Sequence, residues 1–192
     1  MAPLQLVFRE ATPGDADAVA ALINGAFRVD QTNEVYVDAD GDRSGLVVTS
    51  AAAVRAKLAE QDDGTAVVLV ATAGSDPVLL AHATLTKRED GAVAWLGFLA
   101  VDAVHQGAGL GSQVLTHVQK HACDRWNARR LEFDVIRSRA GLRRFYELHG
   151  FRPKTAADGS LVLAPFPYAA HGDSWHGLLR ADLDFVVYSK EL

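Results

Sequence analysis

The most informative segment of the chain is VDAVHQGAGLGSQVL, which spans residues 101–115. An apolar run from Trp95 to Val101 leads into it, and an amphipathic stretch starts near Leu110. A strand, a glycine-rich turn and a helix in this order are typical of an anion site. Glycine permits positive φ, and the first N–H groups of a helix have no acceptor inside the helix. The segment therefore predicts a cradle for a phosphate-bearing ligand.

Spacing within the turn separates the ligand classes. A nucleotide P-loop requires a lysine directly after its last glycine, and no lysine lies near Gly111. A dinucleotide fingerprint places its third glycine one residue later than Gly111. It also places an acidic residue at the end of the next strand, whereas Asp134 falls inside the predicted strand. A turn whose glycines serve packing alone stays open as an alternative.

Two motifs together indicate a family. QGAGLG at residues 106–111 matches the pattern [Gln/Arg]-x-x-Gly-x-[Gly/Ala], and RFYELHGF at residues 144–151 contains Phe-Tyr-x-x-x-Gly-Phe. FREATPGD at residues 8–15, leading into a helix that ends at residues 26–28, is similar to the opening strand and helix of the same family, and DFVVYSKEL at residues 184–192 is similar to its last strand. The chain therefore resembles the GNAT superfamily of N-acetyltransferases, outside residues 29–45 and 155–180. In that superfamily, backbone amides of the first motif hold the pyrophosphate of CoA.

Hydrophobic periodicity predicts the element order βα-α-βββ-α-β-α-ββ, with an antiparallel meander before the glycine turn and a strand–helix–strand crossover through it. We expect helix caps at Thr12 and at Thr49 or Ser50, a helix from Leu110 to about Trp126, and another over Ala140–His149 closed by Gly150. The predicted strands are Leu4–Arg9, Ala66–Ala71, Val78–Thr86, Ala92–Val101, Leu131–Ile136, Leu161–Leu163 and Leu183–Ser189.

The resemblance implies an α/β fold in one domain over residues 1–192. A mixed, mostly antiparallel central sheet is flanked by helices, and its fourth and fifth strands splay into a V. The pantetheine arm of acetyl-CoA, the implied co-substrate, is expected in that V. The residues expected to bind it are Phe98, Leu99, Ala100, Val101, Gln106, Gly107, Ala108, Gly109, Leu110, Gly111, Ser112, Arg139 and Tyr146.

The resemblance also implies two catalytic groups. A backbone N–H near Leu99 is expected to donate to the thioester carbonyl. Tyr146 is the candidate general acid, because a phenol stays protonated at neutral pH and can donate to a departing thiolate. The alternative for Tyr146 is an ordinary core tyrosine.

The general base stays open at the sequence level. Many relatives carry a glutamate on the fourth strand, and here residues 94–99 contain no carboxylate. Glu132 and Asp134 project to one face of their strand, and His82 lies within an apolar strand, so each is a candidate acting through water. Salt-bridged carboxylates, a hydrogen-bonded core histidine, and a base supplied by water alone are the alternatives.

Other charged residues carry weaker signals. Arg139 replaces the asparagine with which many relatives contact the pantetheine arm. With Arg143 one turn later, it either reaches CoA phosphates or lies on a solvated face. His171 and His176 are five residues apart without a cysteine nearby, so we expect no metal site. The loop that holds them and residues 38–42 are expected to line the acceptor pocket.

Composition bounds the function further. The formal charge of −5 on 192 residues argues against nucleic acid and anionic membrane surfaces as partners. Cys123 is the single cysteine, so an intrachain disulfide is excluded, and its expected burial argues against a covalent acyl-enzyme. With neither a signal peptide nor a membrane-length apolar run, we expect a cytoplasmic protein. A homodimer stays open, since relatives often dimerise.

The expected activity is therefore acetyl-CoA-dependent acetylation of an amine, on a small molecule or a peptide N-terminus, by direct attack in a ternary complex. The alternative is a CoA-binding sensor or interaction module that has lost catalysis, which the missing fourth-strand glutamate favours. Neither the acceptor nor the preferred acyl chain can be derived from the motifs, because specificity lies in loops that match no pattern.

Overall fold

The structure, a computed structural model, describes residues 4–28, 47–165 and 184–192. The strands in these ranges are β1 (Leu6–Glu10), β2 (Ala66–Ala73), β3 (Leu79–Arg88), β4 (Val93–Val101), β5 (Arg130–Ile136), β6 (Arg152–Pro153), β7 (Leu163–Pro165) and β8 (Asp184–Glu191). They form one sheet in the order β1-β2-β3-β4-β5-β8-β6, with β7 also paired to β8. The short strand β6 was not predicted from the sequence.

Strand pairing confirms the mixed, mostly antiparallel sheet. β1 to β4 form the expected antiparallel meander. β4 and β5 are parallel, as the crossover through the glycine turn requires, and β5, β6 and β7 all run antiparallel to β8. The ladder between β4 and β5 joins only residues 93–95 to residues 130–132. Beyond Trp95 no ladder links the two strands, which opens the predicted V.

Helices cover both faces of the sheet. They are α1 (Ala16–Arg28), α2 (Ala51–Asp62), α3 (Leu110–Trp126) and α4 (Ala140–Leu148). Because neighbouring residues of a strand face opposite sides, Val68 and Val70 of β2 pack with α1 and α2, whereas Val67 and Leu69 pack with α3. None of the helices in the described ranges is long and apolar enough to cross a bilayer.

Helix ends follow the capping rules. Thr12 and Asp15 form a reciprocal capping box ahead of α1, and the Ser50 hydroxyl, rather than Thr49, caps α2. α4 ends in a Schellman motif, in which Gly150 has φ +86° and the N–H of Phe151 donates to the carbonyl of Tyr146. This motif fixes how α4 presents its last turn to the sheet.

The buried face of α3 differs from the prediction at one position. Val114, Leu115 and Val118 are buried as expected, but Ala122 completes the stripe and Cys123 is only half-buried. Four residues after Val118 the helix returns to the same face, which is the position of Ala122. The expectation of a buried Cys123 is therefore wrong.

Candidate active site

The V between β4 and β5 is lined by main-chain groups of β4. The N–H of Asp102 donates to the carbonyl of Leu80 at 2.8 Å, which marks a hydrogen-bonded pair of the antiparallel ladder. Because such pairs alternate along the ladder, Ala100 also bonds toward β3, whereas the polar groups of Leu99 and Val101 point away from it. The N–H groups of Leu99 and Val101 therefore face the V.

A β-bulge in β4 lies directly before Leu99. The register with β3 slips at Thr84, which faces both Gly97 and Phe98. The bulge leaves Leu99 packed against the α3 side of the sheet, and Phe98 packed against the α1 side. The ring of Phe98 meets that of Phe27 edge-on, with centroids 6.0 Å apart.

The glycine turn joins the V to α3. Gly107 and Gly109 have φ of +78° and +81°, a region that side-chain-bearing residues rarely adopt. A Cβ atom on either residue would meet no atom within 4 Å, so both glycines face open space. A Cβ on Gly111 would lie 3.3 Å from the Phe145 ring, so this glycine allows α3 and α4 to approach closely. The N–H groups that begin α3 have no acceptor inside the helix.

A cavity of about 420 Å³, here called the turn cavity, extends along this segment. Its lining includes residues 99–101, 106–107 and 109–112 together with Arg139. Ala108 is exposed beside the turn and does not line the cavity, and Phe98 and Tyr146 line a different one. The Gln106 side chain donates to the carbonyl of Val101 at 3.3 Å and so ties the turn to the strand.

A second cavity of about 590 Å³, here called the sheet cavity, lies on the α1 and α2 side of the sheet. Phe27, Leu99 and Arg139 line both cavities, so the two meet at the open end of the V. The sheet cavity has apolar walls from α1, α2 and β8, and its polar groups come from β3, β5, α4, Arg139 before α4, and Lys57 of α2. A volume of this size accommodates a small organic molecule.

Tyr146 reaches the sheet cavity from α4. Its ring packs against Phe133, with centroids 4.2 Å apart, in the core on the α3 side. Its side chain nonetheless lines the sheet cavity on the opposite side, so it passes through the V. Burial raises the pKa of Tyr146 to about 12, partly offset by the charge of Arg139. The phenol is therefore protonated at any ordinary working pH.

Asp134 and Glu132 have different surroundings although they share a strand face. Asp134 lines the sheet cavity, and burial raises the pKa of its carboxyl group above the ordinary value. Glu132 is buried in an ion pair with Lys154 at 2.9 Å and accepts a hydrogen bond from Ser189 at 3.3 Å. It lines neither cavity. The structure thus brings Asp134, but not Glu132, to the site.

His82 is held as a buried neutral ring in the wall of the sheet cavity. Its Nδ1 lies 3.1 Å from the carbonyl of Leu69, which can only accept, so Nδ1 carries the proton. Nε2 then accepts from the Thr84 hydroxyl at 3.1 Å. Burial lowers the pKa of His82 to about 4. Because both ring nitrogens are engaged, His82 orients Thr84 and has no free position toward the cavity.

A similar arrangement lies beside the glycine turn. Nδ1 of His149 donates to the carbonyl of Phe145 at 2.7 Å, and Nε2 lies 2.8 Å from the hydroxyl of Ser112. Ser112 lines the turn cavity in the first turn of α3. The contact links the end of α4 to the start of α3 and fixes the orientation of the serine hydroxyl.

Some residues singled out in the sequence lie outside both cavities, and two residues of the sheet cavity were not predicted. Arg143 donates to the hydroxyl of Tyr188 at 3.0 Å. Neither Arg143 nor Cys123 lines either cavity. Residues 38–42 and the loop with His171 and His176 lie outside the described residues. Arg88 and Trp95 of the sheet cavity were missed, although Arg88 follows His82 at alternate positions of β3 and so shares its face.

Comparison with protein families agrees with this geometry. The model of the Acetyltransferase (GNAT) family matches residues 32–151, which is more than half of the chain. The chain belongs to the GNAT acetyltransferase family. No curated protein matches the sequence of this acetyltransferase.

Solved structures share the fold at low sequence identity. A GNAT-family protein from Desulfovibrio desulfuricans is 21% identical, with a TM-score of 0.68 over 97% of this chain and 99% of its own. The ribosomal-protein-alanine N-acetyltransferase from Brucella melitensis is 17% identical, with a TM-score of 0.67 over 97% and 99%. The protein yncA from Salmonella typhimurium, solved with its cofactor acetyl-CoA, is 18% identical, with a TM-score of 0.64 over 97% and 94%.

Proposed function

We propose that this GNAT member is an acetyl-CoA-dependent N-acetyltransferase that acts on a small-molecule or peptide N-terminal amine. The observation that carries the proposal is the meeting of two cavities at Leu99 and Arg139. One cavity begins at a helix N-terminus suited to phosphates, and the other contains a buried carboxylate and a protonated phenol. We further propose that the whole chain acts as one domain.

The residues of the turn cavity fit acetyl-CoA. Open space above Gly107 and Gly109 lets a pyrophosphate approach the backbone closely, and the free N–H groups at the start of α3 suit its charge. The outward main-chain groups of Leu99 and Val101 suit the amides of an extended pantetheine arm, which would pair as an added strand. When bound, acetyl-CoA supplies the acetyl thioester that is transferred.

Residues of the chain then transfer the protons of the reaction and stabilise the negative charge that develops on the carbonyl oxygen. Asp134 holds the substrate ammonium in the sheet cavity and accepts its proton, directly or through water, and the freed amine forms the new C–N bond. The N–H of Leu99 donates to the carbonyl oxygen as negative charge develops there. As the C–S bond breaks, Tyr146 donates to the departing sulfur, and the second proton lost by the attacking nitrogen as the amide forms restores the phenol. Asp134 is favoured over the other carboxylate because Lys154 neutralises Glu132.

The raised pKa of Tyr146 shapes its role. A phenol with a pKa of about 12 is always protonated, but it is a weaker acid than a thiol, whose pKa is roughly 8.5. Full proton transfer is therefore late, and most of the benefit comes from a hydrogen bond to the developing thiolate. Direct attack is favoured because Cys123 lies outside both cavities.

The test is titration calorimetry of acetyl-CoA with the wild type, Gly109→Glu and Gly159→Glu. Gly159 has a similar φ of +82° and open surroundings but lines neither cavity, so it controls for backbone strain. We expect binding to the wild type and Gly159→Glu, and a loss of at least about 100-fold in Gly109→Glu, which brings a carboxylate to the phosphate site.

A screen of amine acceptors completes the test. Acetylation of any amine by the wild type supports the transferase. Binding of acetyl-CoA without turnover of any amine would instead support the non-catalytic module. An absence of acetyl-CoA binding to the folded wild type would contradict the proposed function outright.

A further inference from the structure

The sheet cavity is lined by four charged side chains, Lys57, Arg88, Asp134 and Arg139, among which Arg88 and Asp134 are opposite charges that do not neutralise each other. Asp134 on β5 and Arg88 on β3 both line it. They interact electrostatically at a distance, since the charge of Arg88 partly offsets the effect of burial on the pKa of Asp134. Within the described residues, neither side chain belongs to a salt bridge, and the Asp134 carboxylate accepts a hydrogen bond from its own backbone N–H. Two charges at separate points of one cavity suit a ligand with the complementary pair.

Trp95 holds the arginine in place. The guanidinium carbon of Arg88 lies 3.6 Å from the centroid of the Trp95 ring, a stacking contact that leaves the edge of the guanidinium free to donate. A planar edge with two parallel N–H groups matches a carboxylate or phosphate. Arg88 is exposed at the end of its strand, so this group lies at the mouth of the cavity.

The sheet register separates the two charges. Arg88 pairs with Val93, whereas Asp134 lies two residues beyond the level at which Trp95 pairs with Glu132. Four residues along the strands and two strands across place the Cα atoms of Arg88 and Asp134 roughly 16 Å apart. The arginine side chain shortens this gap but does not close it. The complementary charges of a ligand must therefore be several bonds apart.

The remaining lining is compatible with such a ligand. Lys57 is compensated by Glu60 at 2.7 Å, so it adds little net charge, and Arg139 lies where the sheet cavity meets the turn cavity. The lining also includes the apolar side chains of Ile23 and Val54, which would cover an apolar linker. Asp134 lies toward Tyr146 and the junction of the cavities, since Tyr146 and Asp134 also interact electrostatically.

Resting on the proposed function, we propose that the acceptor is an amine that also carries an anionic group, a carboxylate or a phosphate, several bonds from its nitrogen. The ammonium group binds at Asp134 next to the thioester, and the anion binds at Arg88 by the mouth. The stacked Arg88 is thus a specificity-determining residue that selects the acceptor without taking part in the chemistry.

Three amines with six carbon atoms each test the proposal: 6-aminohexanoate, hexylamine and 1,6-diaminohexane, with 6-aminohexyl phosphate to compare the two anions. We expect the wild type to favour the anionic amines over the other two by roughly tenfold or more in kcat/KM, the value of one charge-assisted hydrogen bond. In Arg88→Gln this preference should disappear while the KM for acetyl-CoA is unchanged. Arg88→Glu should favour the diamine.

Lys87→Gln is the matched control, because Lys87 is the next residue on β3, lines neither cavity and carries the same charge. It should keep the preference. Calorimetry of 6-aminohexanoate with the CoA-bound enzyme gives a readout besides activity, and binding should weaken in Arg88→Gln only.

The outcomes separate this inference from the function on which it rests. Equal or better turnover of hexylamine or the diamine by the wild type overturns the acceptor class and leaves the transferase standing. The same holds if other amines are acetylated and the anionic ones are not. Failure of every amine overturns both proposals.

Discussion

The turn cavity and the sheet cavity are lined by different kinds of chain segment. The turn cavity is lined mainly by one continuous segment, residues 99–112, with glycines where the backbone must turn or a ligand must approach. The sheet cavity is formed by side chains from α1, α2, β3, β4, β5, α4 and β8. The first can bind one constant cofactor, whereas the second can change its acceptor by changing single side chains.

This difference predicts separable defects. Changes to side chains of the sheet cavity should alter catalysis or acceptor choice while acetyl-CoA binding persists. Changes to the glycine turn should alter acetyl-CoA binding first. If a folded variant with a substitution in the sheet cavity lost acetyl-CoA binding, the two cavities would not have separate roles.

The largest effect is expected for Tyr146→Phe. Removing the hydroxyl removes the donor to the departing sulfur, so kcat should fall by about 100-fold while the KM for acetyl-CoA changes little. Tyr188→Phe is the control, since it removes a buried phenol that bonds Arg143 and Glu147 outside both cavities. Steady-state kinetics of both variants, giving kcat and the KM for acetyl-CoA, test this prediction. Full kcat in Tyr146→Phe would remove this residue from the mechanism.

Because of His82, the free energy of unfolding of the protein should depend on pH. Its pKa is about 4 in the folded protein and about 6.5 when unfolded, so below pH 6.5 the unfolded chain takes up the proton first. Stability is therefore complete above about pH 6.5 and falls as the pH drops to about 4. The loss reaches about 3 kcal/mol, at roughly 1.36 kcal/mol per pKa unit.

Thermal unfolding between pH 7 and pH 4.5 measures this loss. His82→Gln should be less stable at pH 7 but should show a flatter decline with acid than the wild type. Parallel curves for His82→Gln and the wild type would contradict the assignment of His82 as a neutral buried ring.

Asp134→Asn and Glu132→Gln form a matched pair on one strand face. Asp134→Asn should lower kcat/KM for the amine by about tenfold or more, because it removes the group that takes the ammonium proton. Glu132→Gln should keep the rate and lose about 1 kcal/mol of stability, since Lys154 is partly exposed and the pair is screened. The inverse result, a rate loss in Glu132→Gln alone, would move the base to Glu132.

The sequence revealed the fold and the turn cavity because their signals are local. Periodicity and caps placed the helices, and the glycine spacing placed the turn. The sheet cavity depends on register between strands distant in the chain, as when Trp95 comes level with Glu132. Periodicity put Glu132 and Asp134 on one face, but nothing in the sequence placed Lys154 against only the first of them. Side-chain alternation from His82 to Arg88 was the one signal that could have revealed Arg88.

The smallest effect compares two helical glycines at the cofactor side, Gly111→Ala and Gly141→Ala. A Cβ on Gly141 meets open space, so alanine should stabilise α4 by about 0.5 kcal/mol and raise the melting temperature by about 1–2 °C. A Cβ on Gly111 would press on the Phe145 ring at 3.3 Å, which cancels that gain and pushes α4 away from the turn. Gly111→Ala should therefore show no gain in melting temperature and a several-fold weaker affinity for acetyl-CoA, with kcat at saturation retained. Equal stabilisation and unchanged affinity in both variants would show that Phe145 yields freely. The close approach of α3 and α4 would then not be what shapes the turn cavity.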